Sequence, residues 1–563
     1  MKKYSWAVAV SLALIACLYA FFQFLKPLDV FLWDEAHHGF YGMQIYLDLW
    51  SGDWVSFWAH TNSQALWMPL HSWFNGFFLW IFGFSYASAR LSSLFLFFVS
   101  ALVVYFIALE LSKEKGWLVG LIGSVLFLTS PMMLHLATVN MQEMLGIFIC
   151  LLTVYFMVRH ESQEANRFSL VRHSLLIGFL LSVSYWAKQN FAMFMIMGVG
   201  LYQLSLLWDK KKLVSWVLNN LYIVAGFLPL FLLWWMTPPF DRKYALTVTF
   251  RQGAVSEGGS AISGFFGTAI FYLQSFVTSY NLSFWLALGG LVALVASFFI
   301  YKEKKIRIIS LMFMANLIFI SIMSFAQERY LSSTAPLAFI LLSYFGVIAI
   351  DRLVAIKKYS VLVYVVLTVI ALSFVYDLSC LNRFTKEVAN RTIMSVIYKD
   401  TLNGFSPPFL FGLSKRPNFT FPLDSTKDKF AKNFKATPTT SLQDALDFFS
   451  LNIPRNRSIS TMISYAQISP YVIYWHFNGW GASVLSVNDL GYNPGAFWSA
   501  DYFIDIQATE DSPYYADWIE KRWDQISKVL LNDQAIRLEK QKEFADLGLT
   551  AKIYKREKNI SFR

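Results

Sequence analysis

The sequence contains few cysteines and few charged residues for its length. Its 563 residues include three cysteines, Cys17, Cys150 and Cys380, which are too few and too scattered for a disulfide framework or a zinc site. Charged residues make up 15% of the chain, whereas soluble domains average about 25%. The GxxxxGKS/T and GxGxxG segments of nucleotide-binding loops are also missing. These absences exclude a soluble enzyme and a disordered chain, and they argue against thiol chemistry and a nucleotide donor.

Long apolar runs fill most of the chain instead. Hydrophobic residues make up 56% of it and aromatic residues 18%. A helix needs about 20 apolar residues to cross a bilayer core, and on that basis we predict eleven spans. We interpret the first as an anchor, because no small-residue cleavage site follows it. The predicted spans are Ser5–Leu25, Tyr86–Leu111, Trp117–Leu134, Met144–Val158, Leu175–Trp186, Phe191–Trp208, Val214–Trp235, Phe284–Tyr301, Ile308–Phe325, Ser333–Ile350 and Val361–Val375.

The positive charge indicates how these spans are oriented. The formal net charge of +11 comes from lysine and arginine clusters in alternate loops. The positive-inside rule places those loops in the cytoplasm, so we predict an inner N-terminus, an outer tail after Val375 and no nucleic-acid partner. If the apolar segment from Gly264 to Tyr280 were a twelfth span, the basic loops that follow it would lie on the outer side of the membrane. We therefore interpret it as an interfacial or re-entrant helix.

Composition divides the chain into two predicted domains. Residues 1–375 form a transmembrane domain with an amphipathic, tryptophan-rich outer loop 26–85 and a second outer loop 236–283. Residues 376–563 carry mixed charges and turn residues, as an extracytoplasmic soluble α/β domain does. The fold class is thus a mostly α, polytopic membrane protein with this C-terminal domain. Its predicted elements are the helices Ser441–Ser450 and Tyr514–Leu531 and the strands Ile459–Ile463, Tyr502–Ile506 and Ala551–Tyr554.

The sharpest motif is the sequence WDEAHHG directly after the first span. It places two adjacent carboxylates, Asp34 and Glu35, at a membrane surface, where charge is costly unless it faces a polar cavity. A carboxylate shielded from water suits a general base. The alternative is that both residues cap a helix that starts near Ala36. Spacing alone leaves catalysis and capping open.

Other polar residues of the predicted outer face suggest an anion site. Glu143 opens the fourth span, where it is a second acid or a helix-start acid. Arg90 lies inside the second span and needs an anionic partner, which is a phosphate or one of the acids Asp34, Glu35 and Glu143. Lys188 and Arg329 add cations, although each alone suits a snorkelling interface residue.

Four histidines raise the question of a metal. His37, His38, His60 and His71 lie in the first outer loop. Adjacent histidines such as His37 and His38 are poorly placed to bind one ion from one helix face, and no HExxH pattern occurs. We predict no cofactor, with a divalent metal as the alternative.

Several short segments together resemble one enzyme family. These are Asp34 to Ala36, the sequence MPL at Met68, the sequence ARL at Arg90, the acid Glu143 and the sequence RYL at Arg329. They resemble the GT-C membrane glycosyltransferases, in particular the branch with protein O-mannosyltransferases and lipid A aminoarabinose transferases. The resemblance covers roughly residues 5–350.

The resemblance implies a donor, a reaction and roles for these residues. It implies a polyprenyl-phosphate sugar as donor and an inverting transfer of a hexosyl or pentosyl group at the outer face. Asp34 would be the general base and Glu35 would orient the acceptor. Arg90, Lys188 or Arg329 would hold the donor phosphate. We further expect Glu143, His37 and His38 on the acceptor side or as a second acid.

The expected function is therefore sugar transfer to an outer-face acceptor, which is lipid A, a cell-surface glycan or a protein. The expected location is the bacterial inner membrane, with the site and the C-terminal domain on the periplasmic side. A transporter or lipid flippase is the main alternative, but such proteins usually show repeated halves, and this sequence shows none. A receptor or scaffold is a third alternative, which would leave Asp34 and Arg90 without a purpose.

Overall fold

The structure of the protein is a computed structural model. It describes residues 2–26, 31, 34–64, 67–162, 167–208, 213–236, 264–281, 283–300, 303–322, 327–356, 360–383, 385, 442–454, 457–461, 470–477, 484–486, 500–508, 536–545 and 547–557. The predicted helix Tyr514–Leu531 lies outside them.

Helices dominate the described chain up to Ser379. They are α1 Ser5–Ala20, α2 Asp34–Ser51, α3 Trp54–Ser63, α4 Pro69–Phe82, α5 Tyr86–Leu111, α6 Gly116–Leu128, α7 Pro131–Thr138, α8 Glu143–Ser162, α9 Arg167–Ala187, α10 Gln189–Ser205, α11 Leu213–Met236, α12 Gly264–Ser275, α13 Phe284–Phe299, α14 Lys304–Ile322, α15 Ala335–Ala355 and α16 Ser360–Ser379. Short π-helical turns extend α1 over Phe21–Leu25 and α12 over Phe276–Tyr280, and a 3-10 helix covers Glu328–Ser333.

The predicted spans correspond to helices, with two corrections. Seven of the described helices are long and apolar enough to cross a membrane, or eight if the bent pair α6 and α7 counts as one span. The predicted third span, Trp117–Leu134, is not continuous: it breaks after Leu128 and bends by 64°. Pro131 opens the second piece, because proline lacks the amide donor that a continuing helix needs. The predicted fifth span, Leu175–Trp186, is the middle of a longer helix, α9.

The helix α5 lies at the centre of the membrane domain. It packs against α1, α4, α6, α7 and α8, and most of its small and apolar side chains are buried. The hydroxyl of Ser85 accepts a hydrogen bond from the Ser88 amide and so caps the helix start. Arg90 lies just over one turn further on, so its guanidinium is held at this buried end of the helix.

The first loop, residues 26–85, folds into the helices α2, α3 and α4. Asp53 caps α3 by accepting hydrogen bonds from the amides of Val55 at 3.1 Å and Ser56 at 3.0 Å. The helix α2 begins at Asp34 and packs along α4. The helix start near Ala36 that was expected from the sequence is thus confirmed, two residues earlier.

The C-terminal domain contains a five-stranded mixed sheet. The strands are β1 Ile459–Thr461, β2 Val484–Ser486, β3 Tyr502–Ala508, β4 Ile536–Phe544 and β5 Leu549–Arg556, in the spatial order β2-β1-β3-β5-β4. β1 is parallel to β2 and β3, while β5 is antiparallel to β3 and β4. The described helices of this domain are α17 Leu442–Asn452 and α18 Pro470–Phe477. The three predicted strands and the first predicted helix are present with shifted ends.

The helix α18 joins the C-terminal domain to the first loop. It packs against α2, and one cluster of buried apolar side chains runs from the sheet to Phe31, Ala36 and Ala89. The indole of Trp475 stacks on Phe84 with ring centroids 4.3 Å apart. The C-terminal domain therefore sits directly against the segment that carries Asp34 and Glu35.

Candidate active site

Asp34 and Glu35 are the first two residues of α2. The backbone of Asp34 is described and its side chain is not, so its role as general base stays a prediction. The carboxylate of Glu35 is buried and turned toward α5. The contacts of Glu35 fix the direction in which α2 leaves.

A buried ion pair joins Glu35 to Arg90. The guanidinium donates from Nε to Oε1 at 2.6 Å and from Nη2 to Oε2 at 2.9 Å, the bidentate geometry that is strongest for this pair. Oε1 also accepts the backbone amide of Asn140 at 2.8 Å. Arg90 is only 1% exposed. The structure thus shows Arg90 paired with an acid, Glu35, which is one of the two partners expected from the sequence. Binding of a phosphate by Arg90 stays a prediction.

A second buried cluster surrounds Glu143 at the start of α8. Its Oε1 lies 2.5 Å from Nζ of Lys188 and 3.4 Å from Nε of Arg329. The same Nε donates to the side-chain oxygen of Gln327 at 2.6 Å. One carboxylate thus faces two cations. Burial in a low dielectric strengthens the interaction of such cations with an anion.

The segment 140–143 connects the two clusters. The Asn140 amide bonds Glu35, its side-chain oxygen accepts from Asn75 at 3.0 Å, and Gln142 donates to the Met68 carbonyl at 3.0 Å. Segments that are far apart in sequence therefore converge at one site. Sequence reasoning placed Glu143 here but missed Asn140, because a backbone donor carries no signal in its residue type. It also missed Asn75, a polar residue on the buried face of α4.

The histidines of the first loop divide between two places. His38 and His71 are fully buried with ring centroids 5.1 Å apart, and Trp67 lies 4.9 Å from His38. His37 is less buried, and its ring centroid lies 6.4 Å from that of Trp67. His60 instead forms a hydrogen bond between its Nδ1 and Oδ2 of Asp48 at 2.7 Å. Within the described ranges, no three His, Cys, Asp or Glu side chains are grouped to hold a metal ion.

The chain is similar to known proteins in sequence and in structure. Residues 10–237 match the family model of dolichyl-phosphate-mannose-protein mannosyltransferases. No curated protein matches the chain in sequence. In structure it is similar to ArnT from Cupriavidus metallidurans bound to undecaprenyl phosphate, with a TM-score of 0.58 and 13% identity over 100% of this chain and 99% of that one. The fold is that of the GT-C glycosyltransferases.

A second relative has the same GT-C fold. The Archaeoglobus fulgidus oligosaccharyltransferase in the apo form matches with a TM-score of 0.52 and 10% identity, over 90% of this chain and 70% of that one. The resemblance stated from the sequence is thereby confirmed, and the apolar helices together with the GT-C fold make the chain an integral membrane protein. The family-model match includes Asp34, Glu35, Arg90, Glu143 and Lys188 and ends before Arg329.

Replacing His71 by leucine is expected to stabilise the protein. Neither ring nitrogen of His71 has a hydrogen-bond partner among the described residues, and leaving such a buried group unpaired costs about 1–3 kcal/mol. Burial also lowers the pKa of His71 to about 4. In the unfolded chain the His71 imidazole is protonated below about pH 6.5, whereas in the folded chain it stays neutral down to about pH 4. The free energy of unfolding therefore falls as the pH drops from about 6.5 to about 4.

Thermal unfolding of purified His71→Leu in detergent at pH 7.5 and pH 5 measures both effects. We expect a higher midpoint than wild type, and a smaller drop on acidification. The matched control is Asn75→Leu on the same helix, which is equally buried but loses the hydrogen bond to Asn140. Its midpoint should fall. Equal shifts in both variants would contradict the assignment of a cost to the unpaired imidazole.

Proposed function

We propose that the protein is a glycosyltransferase that moves a sugar from a polyprenyl-phosphate donor to an acceptor at the outer face of the membrane. The observation that carries the proposal is the buried cluster in which one carboxylate, Glu143, faces Lys188 and Arg329. The GT-C fold supports it, as does the relative bound to undecaprenyl phosphate. Two buried cations at one carboxylate fit a reaction in which a phosphate leaves.

In this mechanism the two cations receive the leaving phosphate. As the bond from the anomeric carbon to the phosphate oxygen breaks, negative charge grows on the polyprenyl phosphate, and prepositioned cations stabilise that charge in the transition state. Lys188 and Arg329 are near enough to share one carboxylate oxygen, so they can share one phosphate. Arg90 acts through Glu35 here, because its guanidinium is already held in a bidentate pair.

Asp34 acts on the acceptor. Its carboxylate takes the proton from the acceptor hydroxyl or amine while the acceptor attacks the anomeric carbon from the side opposite the phosphate, so the configuration inverts. The proton ends on Asp34 and the electron pair of the broken bond on the phosphate. Arg90 and the Asn140 amide fix Glu35, the residue next to Asp34. Glu35 in turn holds the base in place without taking part in the proton transfer.

The finer parts of the proposal concern the acceptor and the compartment. Lipid A, a cell-surface glycan and a protein all present a hydroxyl or amine at the outer face of a bacterial inner membrane, and the transferred group is a hexose or a pentose. A lipid-linked donor reaches the site sideways from the bilayer. The exposed tryptophans of the first loop, Trp50, Trp54 and Trp58, suit the interfacial depth of such a site.

Mass spectrometry of lipids that co-purify with the protein tests this function. We expect a polyprenyl phosphate or its sugar adduct, and transfer when a labelled acceptor is added. The variant Lys188→Gln with Arg329→Gln should lose the bound lipid. Lys115→Gln, which removes one exposed cation from its pair with Asp351, is the surface control and should retain it. Protein that carries only bulk phospholipid and transfers nothing to any of the three acceptor classes would refute the proposal.

A further inference from the structure

The side chain of Phe31 is enclosed on four sides. It is fully buried and lies three residues before Asp34 in sequence. The Arg90 guanidinium lies over its ring at 5.1 Å, and Tyr86 meets it edge-on at 4.8 Å. On the third side is Gly39, where an added Cβ would stand 2.3 Å from the ring. The membrane domain thus supplies three walls of this enclosure.

The fourth wall comes from the C-terminal domain. The indole of Trp475 lies 4.7 Å from the Phe31 ring at an interplanar angle of 67°, and it is only 2% exposed. Aromatic pairs in this edge-to-face range are worth about 0.5–1.5 kcal/mol beyond the area that they bury. Trp475 is itself held, since Val472, Ile473 and Phe477 of the same helix are buried in the core of the C-terminal domain.

The enclosure fixes one end of the segment that carries Asp34. Three residues span at most about 11 Å between Cα atoms, so Asp34 cannot lie far from Phe31. On its other side, Glu35 is fixed by Arg90 and by the Asn140 amide. Asp34 is therefore held between two anchored neighbours, and both anchors contact the same guanidinium.

We propose that Trp475 is a positioning residue for the active site: by closing the enclosure of Phe31, the C-terminal domain sets where Asp34 stands. This rests on the proposed function, because it gives Asp34 the role of base. If the C-terminal domain only covered the membrane domain, contact area alone would suffice. It would not need the Trp475 indole packed against Phe31, the residue that orders the segment with Asp34. A shift of 1 Å in a catalytic group can cost about 100-fold in rate.

The first test is kinetic. Trp475→Ala should lower kcat by about 10–100-fold with the KM for donor within about threefold, whereas Trp475→Phe should retain most of the rate. The control Tyr474→Ala removes the neighbouring contact with Phe40 and should stay within about threefold of wild type. Phe31→Leu combined with Trp475→Ala should be no slower than the slower single variant, because both act through one enclosure.

The second test does not depend on turnover. In an Asp34→Cys background, labelling of the thiol by a water-soluble maleimide should speed up at least about tenfold with Trp475→Ala and not with Tyr474→Ala, since local opening controls access. Protein without the added cysteine gives the background from the native cysteines. Monodisperse elution of each variant shows that it has folded.

The outcomes separate the two hypotheses. Independent, multiplicative losses in the Phe31 and Trp475 variants, or equal losses and equal labelling for Trp475→Ala and Tyr474→Ala, would overturn the positioning role while wild-type transfer upholds the function. Accelerated labelling of the Asp34→Cys protein with Trp475→Ala, together with a wild-type protein that transfers no sugar, would instead refute the proposed function and leave the positioning of residue 34 in place.

Discussion

Asp34→Asn is expected to lower the rate of sugar transfer by about 100- to 10,000-fold, the usual contribution of a general base. Asparagine has nearly the same shape as aspartate, but its amide cannot accept the proton that the acceptor loses. The cations Lys188 and Arg329 remain, so the donor should still bind. Turnover at saturating donor, together with the amount of polyprenyl phosphate that co-purifies, distinguishes a lost chemical step from lost binding.

Asp53→Asn is the matched control for this change. Asp53 is exposed in the same first loop and caps α3 through its side-chain oxygen, and asparagine caps helices about as well as aspartate does. The control should transfer sugar at the wild-type rate. If Asp34→Asn also retained full transfer, the base would have to be sought at another acid, with Glu143 the first to replace.

Arg90→Leu is expected to destabilise the protein by about 3–5 kcal/mol, because it leaves the Glu35 carboxylate buried without its cation. The Arg90 and Glu35 side chains are 1% and 7% exposed, so water cannot take over the role of the guanidinium. The loss should appear as a lower thermal midpoint in detergent and as less folded protein in the membrane. Adding Glu35→Gln to Arg90→Leu should restore much of the stability, since no unpaired charge then remains.

Lys115→Leu provides the comparison at the surface. Lys115 pairs with Asp351, but their side chains are 44% and 42% exposed, and such pairs contribute at most about 1 kcal/mol. A midpoint for Arg90→Leu no lower than that of Lys115→Leu would mean that the buried pair does not hold α2 against α5. The comparison therefore tests the geometry of the site apart from its chemistry.

The sequence predicted the helices well because each one rests on a local apolar run. It could not choose a partner for Arg90, since Glu35 lies 55 residues away and only the packing of α2 against α5 decides between that acid, Asp34 and Glu143. The broken third span was missed although Pro131 marks it, because hydropathy continues across the break. The strand β4 was missed because it is an edge strand with charged, exposed residues.

The electrostatic grouping at Glu143 was only partly predictable. Lys188 and Arg329 were each compatible with a lipid-interface position, and nothing in either local sequence showed that both would point at one carboxylate. The unpaired nitrogens of His71 left no trace in the sequence at all. Properties that depend on which atoms meet across helices require the three-dimensional structure.

The contact between α18 and the first loop also bears on how the protein is made. Phe31 and Trp475 are separated by 444 residues of chain, and ribosomes add about 5–20 residues per second. Roughly 20–90 s therefore pass between the synthesis of the segment with Asp34 and the synthesis of Trp475. A chain that stops short of Pro470 carries the described helices α1 to α16 and lacks the indole that covers Phe31. The environment of Phe31 is therefore complete only after Trp475 has been translated.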